Sequence, residues 1–118
     1  MHKTHECSII KSMQEIIKRA VQIRQKYDRL NAKNNTEWKG HDFMSGFVGD
    51  VVDLSKIIMA KRGLRGDQGE NIDAMLAHEL ADCLWSVCVL ADIYNVDVED
   101  AFLKTMDELD ERLTKQLS

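Results

Sequence analysis

The sequence contains no proline and only six glycines in 118 residues. Breakers of regular structure are scarce, so long uninterrupted helices are expected. Cysteines number three, Cys7, Cys83 and Cys88. An odd count, with two of the three inside an apolar stretch, speaks against a disulfide framework and fits reduced thiols. No histidine or basic pattern accompanies any of them, so a cysteine nucleophile is not indicated. Basic residues are outnumbered, 16 Lys and Arg against 20 Asp and Glu, giving a net charge of −4. That balance argues against binding polymeric nucleic acid. The opening Met1-His2-Lys3-Thr4-His5-Glu6 has no apolar run, and no stretch reads as long enough to span a membrane. A cytoplasmic location is therefore expected. A glycine-rich phosphate loop is also missing, because Arg62-Gly63-Leu64-Arg65-Gly66 lacks the Gly-Lys-Ser/Thr ending.

The rest is a helical chain of single-domain size, read as one unit over residues 1–118. Ile9, Met13, Ile16, Ala20, Ile23, Tyr27 and Leu30 repeat at helical spacing and predict a first helix from about His5 to Leu30. Asn31 to Gly40 is a polar connection containing Trp38. Asp42 is a candidate N-cap for a second helix running to about Lys61. Arg62 to Asn71 reads as a loop. Asn71 or Asp73 would cap a third helix ending near Tyr94, and Asp97, with Asp100 three residues on, would start the fourth. Val98, Ala101, Phe102, Leu109, Leu113 and Leu117 give the fourth helix an apolar stripe. The expected architecture is an all-α, four-helix bundle. So small a core is often completed by a second copy, so a homodimer or homotetramer is expected.

Two acidic pairs interrupt the apolar stripes. Asp50 and Asp53 lie in Phe47-Val48-Gly49-Asp50-Val51-Val52-Asp53-Leu54, and Glu79 and Asp82 lie in His78-Glu79-Leu80-Ala81-Asp82-Cys83-Leu84-Trp85. A three-residue spacing puts both members of a pair on one helix face. Spacing alone is weak, since Asp97/Asp100 and Glu108/Glu111 share it at a helix start and on a charged face. The first two pairs differ because Leu54, Ile57, Cys83, Ser86 and Leu90 crowd the same arcs. Carboxylates there either sit at the stripe edge in ion pairs or need neutralising. Two like charges ~4 Å apart repel by ~4 kcal/mol at an effective dielectric near ~20. A divalent cation reverses that sign, and oxygen-only ligands point to Mg²⁺ or Mn²⁺ rather than zinc.

Other signals are weaker. His78-Glu79 opens a zincin-type HExxH, but Asp82 stands where the second histidine is needed. His41-Asp42 sits at a helix start, where capping explains it better than an HD-type phosphohydrolase site. Lys61 and Arg62 read as partners of a helix C-terminus. Arg65 is freer to reach a phosphate, and Lys56 lies one turn beyond Asp53. Trp38 either stacks on a base or docks on the bundle, whereas Trp85 reads as core or interface. The methionines read as packing.

The acidic segments resemble the MazG-like all-α nucleoside triphosphate pyrophosphohydrolases, whose helices carry ExxE and then ExxD. Glu79-Leu80-Ala81-Asp82-Cys83-Leu84-Trp85 is similar to the ExxD segment, including the following Leu-Trp. Val89-Leu90-Ala91 and Val96-Asp97-Val98-Glu99-Asp100-Ala101-Phe102 resemble the family's next helix turn and helix start. Phe47 to Asp53 resembles the first segment, the likeness extending from about Asp42 to Met106. In this alignment Phe47 stands at the first glutamate of ExxE, Asp50 at the second, and Asp53 replaces the missing acid as DxxD.

The resemblance implies Mg²⁺, with Mn²⁺ as substitute, held by Asp50, Asp53, Glu79 and Asp82. It further implies hydrolysis of a (deoxy)nucleoside triphosphate to monophosphate and pyrophosphate, a cleansing of the nucleotide pool. Glu79 is then the candidate acceptor of the water's proton, and Trp38, Phe47, Lys56 and Arg65 are candidate substrate contacts. The substitution at Phe47 leaves an alternative, a degenerate, non-catalytic interaction or nucleotide-binding module of the same fold.

Overall fold

Four helices follow one another: α1 (His2–Lys33), α2 (Gly40–Lys61), α3 (Ile72–Ile93) and α4 (Val98–Leu117). The computed structural model describes the backbone of residues 2–63 and 71–118, and side chains from residue 13 onward within those ranges. No strand occurs among the described residues. The all-α reading therefore holds. The first helix extends beyond the expected His5 to Leu30 at both ends, because no residue in either flank opposes helical geometry.

The helix boundaries show where the sequence cues act. Asp42 is not the N-cap of α2; Lys39 holds that position. Asp42 sits in the first turn, and its carboxylate accepts a 2.8 Å hydrogen bond from the Lys39 backbone N–H. The same acid thus closes the helix start from three residues further in. Gly63, with φ of +75°, ends α2 in the left-handed region, and its N–H donates to the Ala60 carbonyl at 3.0 Å. Asn71 precedes α3 without a side-chain capping bond. Asp73 instead pairs with Lys61 across the α2–α3 connection. Asp97 caps α4 as expected, accepting from the Asp100 N–H at 3.0 Å.

Helix α3 is the centre of the packing, lying against both α2 and α1. Phe43, Ile57 and Ala60 on α2, Ser86, Cys88 and Val89 on α3, and Ala20 on α1 form the buried core. The Trp85 indole N–H donates to the Ala20 carbonyl at 3.1 Å and ties α3 to α1. Arg24 adds a second tie, reaching Asp92 at 3.1 Å.

Two expectations change here. No span long enough for a membrane is expected from the sequence, yet the 22 residues of α3 meet that length and composition. Length and composition alone do not distinguish a span from a central bundle helix, and α3 packs between two other helices and carries Glu79 and Asp82. The fourth helix also departs from a closed bundle. None of its residues is buried. The radius of gyration is 17.9 Å, against roughly 13.5 Å for a compact chain of this length. The apolar stripe of α4 is present, but none of it is buried against the described residues.

Candidate metal centre and adjoining cavity

Seven residues are nearly two helical turns, so positions seven apart share a face. On α2 the buried Phe43 and Ile57 lie seven residues before and after Asp50. On α3, Ser86 and Val89, both buried, lie seven residues after Glu79 and Asp82. The packing of α2 on α3 that buries these apolar positions therefore brings the acids toward one another. Ligand oxygens of Asp50, Asp53 and Glu79 come within 4.8 Å of one another, and a second group of His78, Glu79 and Asp82 does the same. Glu79 belongs to both.

Among the described residues only His78 offsets the raised pKa values of Asp50 and Glu79. Burial pushes the Asp50 carboxyl above its ordinary range, reinforced by the charges of Asp82 and Asp53 and opposed by His78. Glu79 is raised in the same direction, by burial first and then by Asp82, Asp50 and Asp53. Its Oε2 is sealed from solvent and has no hydrogen-bond partner among the described residues. A sealed, unpaired carboxylate oxygen among three other acids is costly as it stands. It fits a cation, and the donor set of carboxylate oxygens suits a hard divalent ion. Cys83 lies in the same field: burial raises its thiol, and Asp50, Glu79 and Asp82 add to the rise. Its thiol is thus held protonated.

Beside the carboxylates is an aromatic cavity of about 310 Å³. Tyr27 from α1, Trp38 from the α1–α2 connection, Phe43 from α2 and Trp85 from α3 line it, with Asp50 and Asn31 at its polar edge. The Trp38 and Phe43 rings meet edge-on at 5.3 Å, and Tyr27 and Trp85 lie 5.6 Å apart. A second cavity shares Tyr27, Asp50 and Trp85 and adds Asp82. The aromatic space and the acids therefore adjoin.

The predicted site residues divide accordingly. Asp50, Asp53 and Glu79 are brought together, and Asp82 joins Glu79 in a second group with His78. Trp38 lines the cavity, so its docking on the bundle and its availability to a ring are compatible. Phe47 is half-buried, and it stands neither among the ligand groups nor in the cavity lining. Lys56 is exposed and makes no ion pair among the described residues. Arg65 lies outside the described residues. Sequence reasoning missed Tyr27, Phe43 and Trp85 as cavity walls. The available signal was scarcity: the chain has seven aromatic residues, and four of them meet here.

A family model described as the MazG nucleotide pyrophosphohydrolase domain matches residues 48–116. No curated protein and no solved structure gives a significant match. The matched stretch covers more than half of the chain and includes Asp50, Asp53, Glu79 and Asp82, and the chain belongs to the MazG nucleotide pyrophosphohydrolase family.

Proposed function

We propose that this chain hydrolyses a nucleoside triphosphate, with ribose or deoxyribose, to the monophosphate and pyrophosphate, using Mg²⁺ or Mn²⁺. The observation that carries the reading is the sealed, unpartnered Glu79 Oε2 among Asp50, Asp53 and Asp82, one wall away from an aromatic cavity. When bound, the ion supplies charge neutralisation for the phosphate oxygens and makes a bound water more acidic. The chain's own residues do the rest. Asp50, Asp53, Glu79 and Asp82 hold the ion. The aromatic walls receive the base, which sets the triphosphate toward the acids. Glu79, with its raised pKa, accepts the proton of the attacking water as the bond between the α- and β-phosphates breaks.

The geometry also favours a simpler correspondence with the family pattern. Asp50 and Asp53 have the same spacing as ExxE and together meet Glu79. We infer that this DxxD fills both glutamate positions, which leaves no ligand missing at Phe47 and removes the main argument for a degenerate module. Lys56 and Arg65 remain candidate phosphate contacts.

The base is read through Trp38, so Trp38→Ala is expected to raise KM about tenfold or more while changing kcat little, given the ~1–3 kcal/mol of a lost stacking contact. Steady-state kinetics on the best substrate checks this, and an unchanged KM would place the base elsewhere. The uncovered α4 stripe supports a homodimer or homotetramer. Phe102 is 57 % and Leu113 51 % exposed, more than a lone chain needs to leave open. Phe102→Asp is expected to shift the chain toward monomer in equilibrium sedimentation, the wild type remaining associated.

Product identification tests the reaction class. Phosphorus NMR of a completed reaction should show monophosphate and pyrophosphate. Diphosphate with orthophosphate would assign a phosphatase instead.

A further inference from the structure

The second ligand group contains a nitrogen donor. His78 Nε2 lies 3.1 Å from Asp82 Oδ2, and a ligand atom of His78 lies within 4.8 Å of those of Glu79 and Asp82. Two donors on one ion at ~2.0–2.3 Å each stand at most about 4.5 Å apart, so the three would close up to share one ion. The register explains the arrangement: on α3, Asp82 lies one turn after both His78 and Glu79, at i+4 and i+3. The Asp50, Asp53 and Glu79 group, by contrast, offers oxygen alone. Glu79 is common to both groups.

Imidazole changes what such a position prefers. Mg²⁺ binds through oxygen and keeps its waters. Imidazole nitrogen favours first-row transition ions, with affinity rising from Mn²⁺ toward the later metals. His78 is largely exposed, 74 % for its side chain, so an ion reaches it from solvent without rearrangement of the core. Bound through Nε2, the ring would carry its proton on Nδ1, and Asp82 would move from partner of the imidazole to fellow ligand.

We propose that His78, Glu79 and Asp82 form a second ion position with a nitrogen ligand. That position would select a transition ion of the Mn²⁺-to-Zn²⁺ class over Mg²⁺, so that the two positions of the site are chemically unlike. This rests on the carboxylate cluster being a metal centre.

Mn²⁺ is the probe, because its electron spin echo is modulated by a directly bound ¹⁴N. Wild-type protein without nucleotide should show that modulation, and His78→Gln should lose it. His41→Gln, at the start of α2, should retain it. Calorimetric titration should show the Mn²⁺ over Mg²⁺ preference falling about tenfold or more in His78→Gln, with Mg²⁺ binding little changed. Mn²⁺ binding without nitrogen modulation, or modulation that persists in His78→Gln, overturns the proposal and leaves the oxygen site standing. Failure of wild type to bind either ion overturns both.

Discussion

Glu79→Gln is expected to reduce metal-dependent turnover by roughly a thousandfold, the upper range for loss of a proton acceptor, while making the ion-free protein more stable. The two effects share one cause. Glutamine keeps the shape of the side chain but cannot take a proton from water, and its amide is a poorer ligand than a carboxylate. Its NH₂ group, however, donates to Asp50, Asp53 or Asp82 where the glutamate could only repel. Wild-type Glu79 and Asp50 are both held above their ordinary values of 4.5 and 3.8.

For an acid raised in the folded state, the native form binds protons more tightly than the unfolded chain. Its stabilising contribution is present below the ordinary value and is lost as pH rises through the folded value. Once deprotonated in the fold, Glu79 opposes folding, so removing its charge should raise the thermal midpoint at neutral pH by a few degrees. The gap between Glu79→Gln and wild type should close as the pH is lowered toward 4.5. Calorimetry of both proteins across that range reads the sign directly. A variant less stable than wild type at every pH would mean that Glu79 has a stabilising partner and is not held for a ligand.

Mg²⁺ is expected to reverse the ordering. An ion that binds only the folded state at a hundredfold its Kd adds ~2.7 kcal/mol. For a chain of this size that is a midpoint rise of roughly 10 °C. The rise should be absent with chelator and strongly reduced in Glu79→Gln. It should also shrink on acidification, since protons compete for Asp50 and Glu79 over the range to which their pKa values are raised. A midpoint insensitive to Mg²⁺ and Mn²⁺ at pH 7.5 would remove the ion from the account and leave the acids as an unexplained cost to the fold.

These acids are legible from the chain because their cue is local. Asp50/Asp53 and Glu79/Asp82 owe their common faces to helical spacing, and their place on a seam to Phe43, Ile57, Ser86 and Val89 at multiples of that repeat. Which glutamate positions they fill is less legible. The likeness anchored on Phe47 puts only Asp50 on a glutamate position, whereas ligand oxygens of both Asp50 and Asp53 lie within 4.8 Å of one of Glu79.

Of the cavity only Trp38 is legible, since Tyr27, Phe43 and Trp85 join it from three helices whose meeting depends on packing. Trp85 is half-buried and tied to the Ala20 carbonyl, and it lines the cavity as well. His78 suggests HExxH in the sequence, a pattern that needs another histidine. Its relation to Asp82 one turn away offers different chemistry. For α4 the stripe is plain in the sequence, and only its burial among the described residues is missing.

The most direct measurement is pyrophosphate release from a panel of ribo- and deoxynucleoside triphosphates, with and without Mg²⁺ or Mn²⁺, by wild type and Asp82→Ala. Release that requires the ion, favours particular nucleotides and disappears in Asp82→Ala is the predicted result. No release from any nucleotide, or ion-dependent release that survives in Asp82→Ala, would contradict the assignment of this cluster as the catalytic metal centre.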